Sequence, residues 1–437
     1  MKTIPLFLCS FSILLTARAE PPLKSGNSPS AALSLSAVTE SVLANNPSLK
    51  EARAKWEGMK QRVPQAAAWE DLKISASSRV GRFVDVARNS FTDQMFSVEQ
   101  MIPISGRNQS RARIAAAEAL GALEEVRRKE LDVVAKARAA YFRLAKDYAL
   151  LELNGANQSS LVQTFEISRA RLEVGTQGQA DVLTAENEVT RLEETRRDLL
   201  RSKSDNETQL KVLMHRDPFS PLGRPATSGA QSALPSIERL RSLIFSNRPE
   251  VRMAEAGVTA AKAKRELAKR EWIPDPALSI EAQRYNGASQ VASEVGVGVS
   301  FNVPWLNAKK YRAGEREAQS GVEAAQHALD GAHTEALGVL RDQLRKIETF
   351  HHHVELFGTR LVPNARQIVQ TNRSNYEGGK TGFLDLVLSE RSLRELEAMS
   401  RAHLTDTQIA VAELEALVGA DLRIFSPQQE TSKRKSK

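Results

Sequence analysis

"YEGGKTGFLDLVLSE", residues 376–390, decides the fold because the chain carries it twice. Its Gly379-Lys380-Thr381 resembles the close of a phosphate-cradling loop, but that loop needs a further glycine at position 374, where Ser374 stands. The same pattern occurs 204 residues earlier as "LEVGTQGQADVLTAE", residues 172–186. Gly175 answers Gly379, Gly178 answers Gly382, Asp181 answers Asp385 and Glu186 answers Glu390.

Working outward from this pair, the correspondence spreads over most of the chain. "LANNPSLKEA" at Asn46-Pro47 answers "FSNRPEVRMA" at Asn247 and Pro249. "FSVEQMIPISGRNQSRARIAAAE" answers "VGVSFNVPWLNAKKYRAGEREAQ", with Pro103 opposite Pro304, and "LKVLMHRD" answers "LEALVGAD". A period this long marks a doubled domain and not a solenoid of short repeats. The expected plan is a first repeat over 33–217, a linker over 218–235 rich in Pro, Ser and Gly, and a second repeat over 236–422. A basic tail, 423–437, follows.

Each half changes period in the same order. Residues 293–303 put Val295, Val297, Val299, Phe301 and Val303 on one face and Glu294, Gly296, Gly298, Ser300 and Asn302 on the other. Residues 277–285 alternate likewise, so a strand pair is expected at about 277–303 and its counterpart at about 72–102. Such strands suit either surface hairpins or membrane crossing, for which about 9–11 residues suffice. Four strands cannot close a barrel when the smallest have about eight, so a membrane reading requires several chains.

The remainder reads as long helices. One is expected from Ser110 to Leu151, reaching roughly 60 Å at 1.5 Å per residue. The others carry a coiled-coil seam, Ala185 to Leu213 and Ser389 to Leu417, that turns polar in its middle at Lys203, Asn206, Ser400 and His403. Those positions face either a wet lumen or a register shift. Turns near Asn154-Gly155 and over Gly358–Pro363 are expected to end the long helical pairs, with Pro363 in the first turn of a returning helix.

Composition narrows the function. Residues 1–19 have Lys2, an apolar run from Ile4 to Leu15 and Ala17-Arg18-Ala19, the pattern of a cleaved secretory signal. Cys9, the only cysteine, leaves with it and follows Leu8, so neither a disulfide nor a lipid anchor is expected. The formal charge of +8 drops to +6 without Lys2 and Arg18, and no basic patch interleaved with aromatics appears, which excludes a nucleic-acid partner. There is no H-E-x-x-H, G-x-S-x-G or mature cysteine, so no catalytic residue, cofactor or enzyme activity is expected. His351, His352 and His353 are consecutive, point 100° apart on a helix and do not form a metal site; a partly solvated helix face is the expectation.

With the duplicated order of strand pair and long helices, the Pro103 and Pro304 junctions and the twin glycine motifs in view, the sequence resembles the TolC-like outer membrane channels of tripartite efflux pumps. The resemblance implies a mainly α chain with transmembrane β, a homotrimer whose chains each give four strands to a twelve-stranded barrel in outer membrane lipid, and an α-helical periplasmic tunnel. It implies a periplasmic adaptor and an inner membrane transporter, of the resistance-nodulation-division type, as partners. Within the family, "EQMIPISGRNQSRARIAAAE" is closest in look to the heavy-metal cation branch. In this family the twin motif, Gly175, Gly178, Asp181 and Gly379, Gly382, Asp385, lies between shorter and longer helices of the lower tunnel, with Lys380 an exposed junction lysine. The tunnel tip, where an adaptor docks, is expected at Asn154, Gly155, Leu361 and Val362, and the stretch 355–367 offers Arg360, Asn364 and Arg366 without the aspartate some members carry. The rival reading is a soluble periplasmic coiled-coil protein or the adaptor itself, which would show one helical hairpin between β-rich domains.

Overall fold

The computed structural model describes residues 32–78, 92–175, 178–226, 234–285, 289–420 and 422. The expected signal (1–19), the tail (423–437) and part of the linker lie outside them. The elements run α1 (Leu35–Asn45), α2 (Pro47–Ala67), β1 (Lys73–Ser78), β2 (Thr92–Met101), α3 (Arg107–Glu173), α4 (Gln179–Leu213), then α5 (Ile237–Asn247), α6 (Pro249–Arg270), β3 (Ala277–Tyr285), β4 (Glu294–Ser300), α7 (Ala308–Leu356), α8 (Val362–Glu377) and α9 (Phe383–Val418). The second half repeats the first, but a 3₁₀ turn, Pro304–Asn307, precedes its long helix and a π-turn, Phe357–Leu361, interrupts it.

The strands form one antiparallel sheet in the order β1-β2-β3-β4. Register places Ile74 beside Val98, Val98 beside Ile280 and Ile280 beside Val297. The neighbouring rows on that face are Ala76, Phe96, Ala282, Val295 and Leu278, Val299. All of these are apolar, Gln100 beside Leu278 is the polar member of the last row, and Val297 is 72% exposed. The opposite face carries Lys73–Glu99 (3.5 Å), the Ser75 and Ser97 hydroxyls (2.7 Å apart), Ser279, Glu281 and Gly298. A side chain at Gly298 would meet Ser279 Oγ at 2.6 Å. One apolar face turned outward and one polar face is the alternation of a barrel wall, and it is far more than scattered surface apolarity.

At the helical end of the sheet the halves are tied together. Asp275 accepts from the Ser105 amide and hydroxyl, both at 2.7 Å, and Arg270 donates to the Ser105 carbonyl at 2.9 Å. Arg107 returns the link by donating to the carbonyls of Glu271 (3.0 Å) and Ile273 (2.8 Å). Gly106 has φ +72°, and any Cβ there would strike the Arg270 guanidinium.

Below the sheet each half stacks two shorter helices end to end beside one long one. α2 lies along the start of α3, where Arg53 pairs with Glu130 (2.8 Å), and α4 along its end, where Asn206 donates to Asp147 (2.6 Å). At the joint Asn46 caps α2 by accepting from the Ser48 amide (3.0 Å) and donates its Nδ2 to the Leu213 carbonyl at the end of α4 (2.9 Å). In the second half Gly419, at φ +67°, brings the end of α9 so close to α5 that an added Cβ would sit 3.0 Å from the Asn247 carbonyl oxygen. The matching position in half one is His215, which takes the same left-handed conformation (φ 54°) without being glycine.

Around these joints lies a girdle made of two apolar clusters. One gathers Val38, Val42, Tyr141, Leu144 and Leu210; the other gathers Leu240, Ile244, Leu340, Leu414 and Val418. Tyr141 shares its hydroxyl between the carbonyls of Leu33 and Ala226, each 2.9 Å away, which pins the linker to the girdle. The Arg138–Glu415 ion pair joins the halves inside it, both side chains buried.

The polar middle of the seam turns out to face the partner helix, neither lumen nor shifted register. Ser202 and Asn206 donate to Asp147, Lys203 lies 4.6 Å from the Tyr148 ring centre, and the Tyr148 hydroxyl donates to Glu207 (3.3 Å). In half two His403 packs on His353 and Phe357.

Two expected turns do not exist. α3 continues unbroken for 67 residues, about 100 Å at 1.5 Å per residue, straight through Asn154 and Gly155. Asn154 is buried and donates to the Leu192 carbonyl of α4 (3.3 Å), so packing overrides the turn preference of an Asn-Gly pair. Over Gly358–Pro363 the chain widens into the π-turn and keeps its direction; Pro363 falls at the start of α8 and Val362 is buried.

Candidate functional site

The chain reverses at the twin glycine motif, so the far end of the molecule is there. Helix α3 ends with Gly175 at φ +75°, its amide donating to the Leu172 carbonyl (2.9 Å). α8 ends in the same closure, with Gly379 at φ +71° donating to Tyr376 (3.1 Å) and Lys380 donating to Asn375 (2.8 Å). This paired closure of a helix end needs a left-handed residue, which glycine adopts without a Cβ penalty. The next helices begin at Gly178 and Gly382 in extended conformation, with Asp181 and Asp385 in their first turns beside the free amides. The motif separates α3 from α4 and α8 from α9, Lys380 is exposed, and the break is a full hairpin.

Asn154, Gly155, Leu361 and Val362 do not sit at this tip. They lie within the helical shafts, and Val362 is core, not contact surface. Accordingly Arg360, Asn364 and Arg366 do not line the tip either; its own charged residues in half two are Glu377, Lys380 and Asp385.

Two hairpins, α3/α4 and α8/α9, pack side by side here around a small cluster of Ala185, Tyr376, Phe383, Leu386 and Val387, with Phe165 against it. Most of what links them is polar. Arg171 lies over the Tyr376 ring, 4.4 Å from its centre, and donates to the Tyr376 carbonyl (3.2 Å). Arg373 bridges the Ser160 hydroxyl (2.9 Å) and Glu390 (2.7 Å).

Glu188 is the hub. Its side chain is 4% exposed, and it accepts from Arg191 of its own helix (2.9 Å), and from Arg391 and Arg394 (2.9 Å) of α9. Burial pushes its carboxyl upward, but the guanidiniums of Arg391, Arg394 and Arg191 together outweigh that and hold it below the usual carboxylate value. Burial in turn pulls Arg394 below the ordinary guanidinium value, against the opposing effect of Glu188. The hub opens on a cleft floored by Leu150, Leu153, Leu192 and Leu199. Sequence reasoning missed it, because its partners across the hairpins are about two hundred positions apart.

His351 and His352 are exposed, while His353 rests on His403 with ring centres 4.7 Å apart. Burial and the neighbouring His353 both lower the His403 pKa. No group of three metal-ligating side chains occurs among the described residues. No described helix is long and apolar enough to cross a membrane.

Comparison with known proteins agrees with this architecture. The family described as "Outer membrane efflux protein" matches residues 38–214 and 240–420. The solvent efflux pump outer membrane protein SrpC of Pseudomonas putida is 24% identical over 378 residues, covering 82% of this chain and 78% of that protein. The outer membrane protein VceC from Vibrio cholerae superposes with a TM-score of 0.75 at 18% identity, over 89% of this chain and 96% of that one. The CmeC outer membrane channel of Campylobacter jejuni gives 0.74 at 14% identity, over 92% and 89%. With both halves matched, the chain belongs to the outer membrane efflux protein family, a family of channel proteins: it is the outer membrane channel component of a tripartite efflux pump, with its long helical portion in the periplasm.

Proposed function

We propose that three copies of the chain close a twelve-stranded barrel, each copy joining its β4 to the β1 of the next. The carrying observation is the four-stranded sheet itself, with one predominantly apolar face and an unpaired strand at either edge. Unpaired edges do not persist in lipid, where every backbone group needs a partner. The repeats 33–217 and 236–422, joined by 218–235, each supply one strand pair and one helical hairpin to the wall, and residues 1–19 direct export. Val297→Arg puts a charge on the lipid face and costs about 2–4 kcal/mol near the bilayer midplane. Gly298→Arg points inward, against Ser279, and changes conductance. Equal trimer yields for the two variants in outer membrane fractions would refute the barrel.

The hairpin ends are the docking place for a periplasmic adaptor, which links the channel to an inner membrane transporter of the resistance-nodulation-division type. Leu183, Leu384 and Leu388 are exposed apolar residues just past the glycine motifs, which supports a helix-to-helix contact there. Leu384→Asp with Leu388→Asp is expected to abolish efflux while trimers remain; normal efflux would move docking elsewhere.

The cargo reading is heavy-metal cations, resting on the look of residues 99–118. A second reading, small apolar organics, is favoured by the names of two relatives, the solvent pump protein SrpC and the toluene efflux pump outer membrane protein TtgI. Deletion of the chain followed by zinc, cobalt, cadmium and toluene challenge separates them: sensitivity to the metals alone supports the first, and to toluene alone the second.

A further inference from the structure

Directly after β4 the chain makes a 3₁₀ turn, Pro304–Asn307, that shows Trp305 and Leu306 to the outside, 55% and 83% exposed. The next residues bring Lys309, Lys310 and Arg312, all exposed at the start of α7. Segment 304–314, "PWLNAKKYRAG", has no carboxylate, and these three cations form no ion pair among the described residues. Glu315, the first acid after them, is taken by the Trp272 indole N–H (2.9 Å). The matching region of half one is used differently. Its Arg107 is spent on the carbonyls of Glu271 and Ile273, Ile104 is its one exposed large apolar residue, no Trp stands there, and its exposed cations are Arg111 and Arg113.

The location gives this segment its meaning. It continues the apolar sheet face at the end from which the helices leave, and it adjoins an edge strand. Trp69 and Leu72, also exposed, stand just before the other edge strand at the same end of the sheet. Joining β4 of one copy to β1 of the next sets these two pairs beside each other at every seam. Exposed Trp with Leu next to unpaired Lys and Arg, at the rim of a lipid-facing surface, matches an interface where rings lie at headgroup depth and cations meet anionic headgroups.

We propose that Trp305, Leu306, Lys309, Lys310 and Arg312 form a binding collar for anionic phospholipid of the periplasmic leaflet. Trp305 and Leu306 enter the interfacial layer, and the three cations hold the phosphodiester. This rests on the barrel reading above. The test uses full-length protein reconstituted into vesicles of phosphatidylcholine alone and of phosphatidylcholine with phosphatidylglycerol, reading the temperature at which trimers dissociate and, separately, pore conductance.

Wild type is expected to dissociate at a higher temperature with phosphatidylglycerol, by a margin that shrinks as salt is added. The variant Lys309→Gln, Lys310→Gln, Arg312→Gln is expected to lose that margin, conduct normally and match wild type in phosphatidylcholine alone. Equal temperatures for wild type in both lipids, or a margin kept by the triple variant, would overturn the collar while conductance upholds the barrel. A triple variant already weaker in phosphatidylcholine alone would assign the cations to the seam between copies and overturn it too. Failure of wild type to conduct in either lipid would overturn the barrel and the collar together.

Discussion

The girdle and the tip are built from some of the same helices yet held by different forces. In the girdle, α3 and α9 meet within one apolar cluster, where Tyr141 and Leu144 gather with Ile409 and Ala412, and across one buried ion pair. At the tip the same two helices meet around a smaller apolar cluster, supplemented by arginines that reach over from one hairpin to carbonyls and carboxylates of the other. Apolar burial does not depend on direction, whereas a guanidinium link holds one geometry and can be exchanged for water when the geometry changes. One level of the tunnel is thus suited to keeping its shape, and the other to changing it.

The largest expected effect tests the girdle. Arg138→Met leaves Glu415 buried without its guanidinium and is expected to cost about 3–5 kcal/mol, and adding Glu415→Leu recovers most of it. Denaturant unfolding of the variants reads both. A loss below that of an exposed ion pair would erase the distinction between the two levels.

A smaller effect compares two glycines with the same backbone. Gly379→Ala at the tip has open space and carries only the left-handed penalty, about 1–2 kcal/mol. Gly419→Ala adds a collision with the Asn247 carbonyl, so it is expected to cost more and to loosen the α9–α5 joint. Thermal unfolding that ranks them the other way would contradict the close packing of the girdle.

The smallest effect on stability is expected at the hub, where the readout is conductance. The folded carboxyl of Glu188 titrates below its ordinary value of 4.5, so its links are whole above that pH and are lost as pH falls through the lower folded value. Acidification of the periplasmic side is expected to raise conductance through that window, and Glu188→Gln is expected to remove the step. A pH-independent wild type would leave the tip no looser than the girdle.

How much of this could be read from sequence depended on the range of the cause. The strands were legible because Val295, Val297 and Val299 alternate with glycine and glutamate, a signal contained in seven residues. The twin glycine motif was legible by its repetition, and its place between helices came from the family resemblance, with which glycine and aspartate chemistry agrees. The tip was misplaced because Asn154-Gly155 and Gly358–Pro363 carry local turn preferences that the facing helices overrule, through the Leu192 carbonyl in one case and the burial of Val362 in the other. The arginine hub was invisible, since nothing near Glu188 in sequence announces Arg391 or Arg394.

The π-turn at Phe357–Leu361 makes the two shafts mechanically unequal. α3 is one continuous beam from the sheet to the tip, with no interruption of its hydrogen-bond ladder. The shaft formed by α7 and α8 has a compliant point at Phe357–Leu361, where the ladder is respaced and Pro363 lacks a donor. Bending stiffness is therefore lowest there, and a sideways load applied at the end of the tunnel concentrates its deflection at that point. Under the same load the α8/α9 hairpin therefore deflects further than the α3/α4 hairpin, whose long helix has no such point.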